Sequence, residues 1–78
     1  MSAECDAELD VKGYNCPLPI LKTKKQLVTL PEGALLRVEA TDPHAVVDFT
    51  AFCETSEHEL VSHSESEDGV YTFVLRRG

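Results

Sequence analysis

The chain has 78 residues, of which 42% are hydrophobic and 27% charged, and its formal net charge is −7. This length allows a single domain with one small core. The negative charge argues against a general binder of nucleic acid, whose affinity comes from Lys and Arg, and favours partners with basic docking surfaces. No apolar run is long enough to cross a membrane, and the first residues lack the apolar core of a signal peptide. We therefore expect a cytosolic protein that contacts neither a membrane nor nucleic acid directly.

Three cysteines and three histidines are candidates for covalent or metal chemistry: Cys5, Cys16, Cys53, His44, His58 and His63. The cysteines are odd in number and have no paired spacing, which argues against a disulfide framework and against a zinc site. The histidines fall in three separate predicted elements and have no ligand spacing. We predict free thiols, at least one of them free to react, and no metal site.

The first predicted element is a short strand that leads towards Cys16. Residues 1–6 are polar, and we expect them to be disordered, with Cys5 an incidental exposed thiol. In Ala7–Lys12 apolar and charged residues alternate, which predicts a half-buried strand ending at Gly13. A strand that leads through a glycine turn into a helix places Cys16 near its carboxyl end, where the chemistry of α/β proteins is usually found.

The sequence Cys16-Pro17-Leu18-Pro19 predicts the start of a helix. Proline is favoured at the first helical position, so Pro17 and Pro19 would be the first and third helical residues, with Cys16 as the N-cap. The sulfur would then lie at the positive end of the helix dipole, with the Leu18 N–H free to point at it. Both effects favour the thiolate, which predicts a nucleophilic or sulfur-carrying cysteine. The alternative is a capping cysteine without chemistry.

The first helix is predicted over Pro17–Leu30, with one face on the sheet. Its packing stripe would consist of Ile20, Leu21, Leu27 and Val28. Lys24 projects between Ile20 and Leu21, one turn further on, so it would lie on or beside this stripe. Two interpretations stay open: a lysine that extends past the sheet edge, or a charge within reach of a docked partner or of the sulfur.

A second strand and helix repeat this arrangement. The strand Ala34–Thr41 ends at Asp42-Pro43, and a helix is predicted over Pro43–Thr55. Thr41 or Asp42 would cap that helix, and the place of Asp42 after a parallel strand would also put it on the same edge as Cys16. Cys53 falls in the predicted core stripe of this helix, where a cysteine behaves as a small hydrophobic residue.

Two further strands, His58–Ser64 and Val70–Arg77, would form a hairpin around an acidic loop. The element order is then β-α-β-α-β-β. Right-handed crossovers place both helices on one face of a four-stranded mixed sheet. We predict an α+β fold, a two-layer α/β sandwich, with residues 1–78 forming one domain.

Four segments together carry a resemblance to a known family: LDVKGYNCPLPILKTKKQL, PEGALLRVEATDP, DFTAFCETSEHEL and YTFVLRRG. The first has a glycine, Gly13, followed shortly by CPxP at the start of the first helix. From Leu9 to the C-terminus the chain resembles the TusA/SirA-like sulfur-carrier family. The DP turn and the FC…EHEL segment resemble TusA proper. Some members carry a glycine where this chain has Glu57, so the turn before the third strand is expected to be less tight.

The resemblance implies a sulfurtransferase that acts as a stoichiometric carrier. Cys16 would be the persulfide site, the segment Pro17–Pro19 would support the helix N-terminus, and Lys24 and Asp42 would dock partners. The implied donor is a cysteine desulfurase or a rhodanese, and the implied acceptor is a relay protein of DsrE/TusD type. The pathway would be tRNA 2-thiouridine synthesis or dissimilatory sulfur oxidation. No bound cofactor is implied, because the sulfur is carried covalently on cysteine.

Three alternatives use the same residues differently. In the first, Cys16 only caps the helix, and the domain is a non-catalytic interaction or regulatory module. In the second, the two-layer fold binds RNA, against which the net charge of −7 weighs. In the third, Cys16 and Cys5 form a redox-sensing disulfide across the first strand.

Overall fold

The computed structural model describes residues 5–78, and the predicted element order β-α-β-α-β-β is confirmed. The six elements are β1 (Ala7–Val11), α1 (Leu18–Leu27), β2 (Leu35–Ala40), α2 (Ala45–Glu54), β3 (Glu59–Glu65) and β4 (Tyr71–Arg76). Each predicted strand or helix is present, and no end differs from its prediction by more than three residues. Helix ends fray, so shifts of one or two residues at the end of an element are ordinary.

The four strands form one mixed sheet in the order β1-β2-β4-β3. β1 and β2 are parallel, with Ala7 opposite Leu36 and Val11 opposite Ala40. β4 is antiparallel to both of its neighbours. The parallel pair is connected through α1, and the β3–β4 pair through a short hairpin, as the two kinds of connection require. The predicted mixed sheet is therefore confirmed.

Both helices cover the same face of the sheet and touch each other. α1 packs over β1 and β2, and α2 over β3 and β4. Between the layers lies a core that includes the fully buried Leu36 and Val38 of β2 and Phe73 of β4. The ring of Phe49 from α2 stacks on Phe73, with 4.3 Å between the ring centroids. This confirms the predicted two-layer sandwich.

The predicted packing stripe of α1 is wrong in two positions. Leu21 and Val28 are 46% and 68% exposed. The buried residues of the helix are Pro19, Thr23 and Leu27. Thr23 can occupy the packing face because its hydroxyl donates a hydrogen bond of 2.8 Å to the carbonyl of Pro19, so no polar group is left unpaired.

The helix α1 also ends earlier than the predicted Leu30. Its last residue is Leu27, and the carbonyl of Leu27 accepts a 2.9 Å hydrogen bond from Nε of Arg77, which follows β4. The same carbonyl also accepts the N–H of Leu30 at 3.1 Å. The end of the helix is therefore bonded both to the turn that follows it and to the segment after β4.

Of the segment 1–6, which was predicted to be disordered, residues 1–4 lie outside the described residues, and the structure bonds Asp6 to Leu35. The N–H of Asp6 donates to the carbonyl of Leu35 at 2.8 Å. The Leu35 N–H in turn donates to Oδ2 of Asp6 at 2.8 Å. Cys5, expected to be exposed, is half-buried. The chain is thus bonded to β2 just before β1 begins.

Within residues 5–78, no helix has the length and hydropathy needed to cross a bilayer.

Candidate functional site

Cys16 lies at the edge of the sheet where β1 and β2 both end, and it is exposed. Its segment, residues 12–17, connects β1 to α1 and runs beside residues 41–44, which connect β2 to α2. The turn after β1 uses Gly13 at a φ of 88°, in the left-handed region that favours glycine. The Gly13 N–H donates to Oγ1 of Thr41 at 3.0 Å. The two connections are therefore held together at the edge that the strand prediction assigned to Cys16.

Asp42 joins these two connections through its carboxylate. Its Oδ2 accepts the backbone N–H of Cys16 at 2.7 Å, and its Oδ1 accepts the backbone N–H of His44 at 3.0 Å. Only 6% of Asp42 is exposed. The hydrogen bond from His44 holds the pKa of Asp42 below its ordinary value; burial opposes this effect, and the bond from Cys16 adds to it. Asp42 therefore carries its charge at neutral pH while facing inward.

The predicted cap geometry of α1 is wrong by one residue. Pro17 occupies the N-cap position and Pro19 the second helical position, so Cys16 precedes the cap. The Leu18 N–H donates to the carbonyl of Asn15 at 2.9 Å, so it is not free to point at the sulfur. The peptide bond between Cys16 and Pro17 is cis. The prolines do mark the helix start, but the expected hydrogen bond to the sulfur is replaced by a backbone turn.

The prediction that the helix N-terminus favours the Cys16 thiolate is not supported. The carboxylate of Asp48, as a hydrogen-bond acceptor for the S–H, raises the pKa of Cys16 above its ordinary value. Loss of solvation and the charge of Asp42 act in the same direction. A carboxylate accepts the S–H hydrogen bond and repels a thiolate, so both effects favour the neutral form. The free protein therefore holds an exposed cysteine that is kept as the thiol.

Asp48 is the site residue that the sequence analysis missed. It lies in the first turn of α2, where its N–H donates to the carbonyl of His44 at 3.0 Å. One signal was available: it is the acidic residue in the first turn of the helix that starts at the edge where Cys16 lies. Residues 15, 16 and 42–44 line a shallow surface depression around this point.

Lys24 lies on an exposed surface of α1 and not on its packing side. We call this surface the α1 outer face; its residues are Leu18, Leu21, Lys22, Lys24 and Lys25, which line a shallow depression. Leu18 and Leu21 are 44% and 46% exposed. Nζ of Lys22 lies 4.8 Å from the centroid of the Tyr14 ring. Since α1 contains no acidic residue, the surface that begins two residues after Cys16 is apolar and basic, although the chain as a whole is acidic.

The other cysteines and the histidines do not join the site at Cys16, apart from His44. Cys53 packs against the core from α2, and burial raises its pKa, as expected for a small core residue. His44 follows Asp42, with 3.5 Å between Nδ1 and Oδ1, and is largely exposed. In the part of the chain that the structure describes, no group of His, Cys, Asp and Glu side chains is placed to hold a metal ion.

Comparison with known proteins shows the family to which this chain is similar. The family model described as sulfurtransferase TusA matches residues 7–77. The sulfur carrier protein TusA of Allochromatium vinosum is 45% identical over 75 residues, which cover 96% of this chain and 97% of that protein. The sulfur carrier protein TusA of Pseudomonas fluorescens is 40% identical over 72 residues, covering 92% and 86%.

The chain is also similar in fold to a solved structure. The crystal structure of a SirA-like protein from Desulfitobacterium hafniense has a TM-score of 0.80 with 23% identity, covering 92% of this chain and 97% of that one. This likeness supports the two-layer fold, and the family model and the relatives supply the assignment. The chain belongs to the TusA family of sulfur carriers.

Proposed function

We propose that the protein is a sulfurtransferase that carries sulfur as a persulfide on Cys16. The observation that supports this most strongly is the accessibility of one thiol. Cys16 is exposed, whereas Cys5 and Cys53 are half-buried. The family relationship supports a sulfur-carrier role, and this chain presents one cysteine that a partner protein can reach.

The proposed reaction has two displacement steps. In loading, the Cys16 thiolate attacks the terminal sulfur of a donor persulfide; the donor S–S bond breaks, a new S–S bond forms on Cys16, and the donor leaves as a thiolate. In unloading, an acceptor thiolate attacks the terminal sulfur on Cys16, which leaves as a thiolate. One S–S bond is exchanged for another in each step, so no external oxidant or reductant and no bound cofactor is needed.

We infer that Cys16 ionises in the encounter with a partner, because its pKa is raised in the free protein. Asp48 favours the thiol in the free protein. A cationic group of a docked partner near Asp48 would offset its charge and favour the thiolate. Attack on the donor persulfide would then begin only in the complex.

The proposed docking surface is the α1 outer face, which includes Lys24. The acidic chain as a whole favours basic partners, but the surface beside Cys16 carries exposed leucines and lysines. We propose that it docks an apolar patch bordered by acidic residues, on a cysteine desulfurase or rhodanese as donor and on a DsrE-type relay protein as acceptor. The pathway would be tRNA thiolation or sulfur oxidation, as the resemblance implies, in a compartment that keeps thiols reduced.

Intact-mass measurement tests the proposal. After incubation with a cysteine desulfurase and cysteine, the protein should gain about 32 Da, the mass of one sulfur atom, as a persulfide. Digestion should place that mass on Cys16. The Cys16→Ser variant should not load, whereas the matched Cys53→Ser variant should load as the parent does. If Cys16→Ser loads to the same extent, the carrier proposal at Cys16 is wrong and the non-catalytic alternative is favoured.

A further inference from the structure

We propose that Asp42 is a positioning residue that fixes the backbone of Cys16, rather than a contact for partners. The role of the sulfur rests on the carrier function proposed above, but the hydrogen bond between Asp42 and the backbone of Cys16 does not. Asp42 is 6% exposed, and each of its oxygens already accepts a backbone N–H of its own chain. A side chain in this state has little surface left for another protein.

The bond to Cys16 falls where the chain has few other constraints. Cys16 is exposed, so its side chain has little packing to hold it in place. Its segment is bonded at two points to consecutive residues after β2: Gly13 to Oγ1 of Thr41 at 3.0 Å, and Cys16 to Oδ2 of Asp42 at 2.7 Å. Because an ionised acceptor makes the stronger hydrogen bond, the carboxylate is the firmer of the two attachments.

A local turn explains only half of the Asp42 contacts. The bond from His44 N–H to Oδ1 joins residues two apart, as Asp and Asn side chains do in turns, and the N-cap of α2 is His44 and not the predicted Thr41 or Asp42. The bond from Cys16 comes from a residue 26 positions away and contributes nothing to that turn. Asparagine forms such turns as aspartate does, but it has a single acceptor oxygen. The second acceptor is what a carboxylate adds at this position.

Activation of the thiol does not explain the carboxylate either. The charge of Asp42 raises the pKa of Cys16, which disfavours the attacking thiolate. A negative group beside a nucleophilic sulfur therefore has an electrostatic cost. Orientation of the sulfur for the in-line exchange with a partner persulfide is the benefit that the geometry offers, since small misplacements of a reacting atom slow transfer strongly.

The test uses Asp42→Asn, with Asp6→Asn as the matched control. Asp6 also accepts a backbone N–H across to another segment, that of Leu35 at 2.8 Å, but at the opposite end of β1. In Asp42→Asn we expect the His44 amide resonance to stay near its parent position and the Cys16 amide proton to move upfield. Sulfur transfer from a desulfurase should fall about tenfold to a hundredfold with unchanged Kd. Alkylation of Cys16 by iodoacetamide, which needs no oriented partner, should not fall.

Three outcomes overturn the proposal. An unchanged Cys16 amide in Asp42→Asn would show that the carboxylate does not hold this residue. A loss of affinity for the desulfurase equal to the loss of transfer would assign Asp42 to docking. A matching loss in Asp6→Asn would make the effect a general one on stability.

If Asp42→Asn does not fold, an acid titration of the parent protein decides instead. The amide shift of Cys16 should follow the titration of the Asp42 carboxyl group, and an amide that does not respond refutes the contact. These amide measurements remain valid even if Cys16 does not carry sulfur as a persulfide.

Discussion

Reversing one charge on the α1 outer face tests whether the partner surface that docks there is acidic or basic. Lys24 lies on this face with Lys22 and Lys25, and the replacement Lys24→Glu changes the local charge by two units. Two unit charges 4 Å apart in water interact by about 1 kcal/mol, so facing one partner carboxylate the change is about 2 kcal/mol, or roughly 30-fold in Kd. The Debye length falls from about 10 Å at 0.1 M salt to about 3 Å at 1 M, so the effect should shrink at high salt.

The control for Lys24→Glu is a variant with the same net charge. Ser62 and Ser64 are exposed on β3, the edge strand at the far side of the sheet from β1. The double replacement Ser62→Glu, Ser64→Glu changes the charge by the same two units away from Cys16. Surface plasmon resonance with a cysteine desulfurase, at low and high salt, should show a large loss of affinity for Lys24→Glu and a small change for the control.

Two results would refute the docking hypothesis. Equal losses in both variants would mean that net charge, and not the α1 outer face, governs binding. Tighter binding of Lys24→Glu would mean that the partner surface is basic, as the net charge of the chain alone suggests. Because Lys24 lies in the last turn of α1, a glutamate there also costs about 0.3–1 kcal/mol through the helix dipole. Circular dichroism of both variants checks that the fold is intact.

Two further predictions concern the ionisation of the site and the core beneath it. Asp48→Asn should lower the pKa of Cys16, because the largest influence that raises it is removed, so the pH profile of alkylation by iodoacetamide should move to lower pH. An unmoved profile would exclude Asp48 as the cause, and Asp10→Asn, at an exposed carboxylate of β1, is the control. Phe49→Ala should lower the free energy of unfolding by about 3–5 kcal/mol, since Phe49 is fully buried against Phe73. Urea denaturation measures this, and a loss below about 1 kcal/mol would contradict the close packing between α2 and β4.

The fold follows from patterns that are local in the sequence. In β2 the buried Leu36, Val38 and Ala40 alternate with the half-buried Arg37 and Glu39, as a strand covered on one face requires. The crossover and hairpin connections then leave few arrangements for four strands, so the mixed sheet was predictable. The ends of the elements were less predictable: α1 ends three residues before the predicted Leu30, and its last carbonyl is bonded to the side chain of Arg77, which is distant in the sequence.

The outward face of α1 could not be predicted from hydropathy. A pattern of apolar residues assumes that Leu21 is buried and Thr23 exposed, and the structure has the reverse. The threonine is paired within its own helix, so its burial leaves no donor without a partner. The leucine is left on the surface beside three lysines. Exposing an apolar side chain to water costs free energy, and a partner that covers the side chain removes this cost. The position of Leu21 therefore suits a surface that is covered in a complex.

The ionisation of Cys16 was missed for a different reason. The CPxP segment alone indicates a helix N-terminus, and a helix N-terminus alone favours a thiolate. The groups that decide the pKa come from α2 and the turn before it, far away in the sequence, and both are carboxylates. The CPxP segment thus predicts the place of the sulfur, but it gives no sign of the two carboxylates that raise its pKa.

These features bear on how a carrier keeps its cargo site from reacting too early. A permanently ionised, exposed thiolate would be open to oxidation and to any electrophile in solution. In this protein the backbone of Cys16 is bonded to Asp42, while the proton on its sulfur is favoured by Asp48. On the proposed function, orientation is therefore supplied in the free carrier and ionisation in the complex. The chemistry would then depend on docking at the α1 outer face, which begins beside the sulfur.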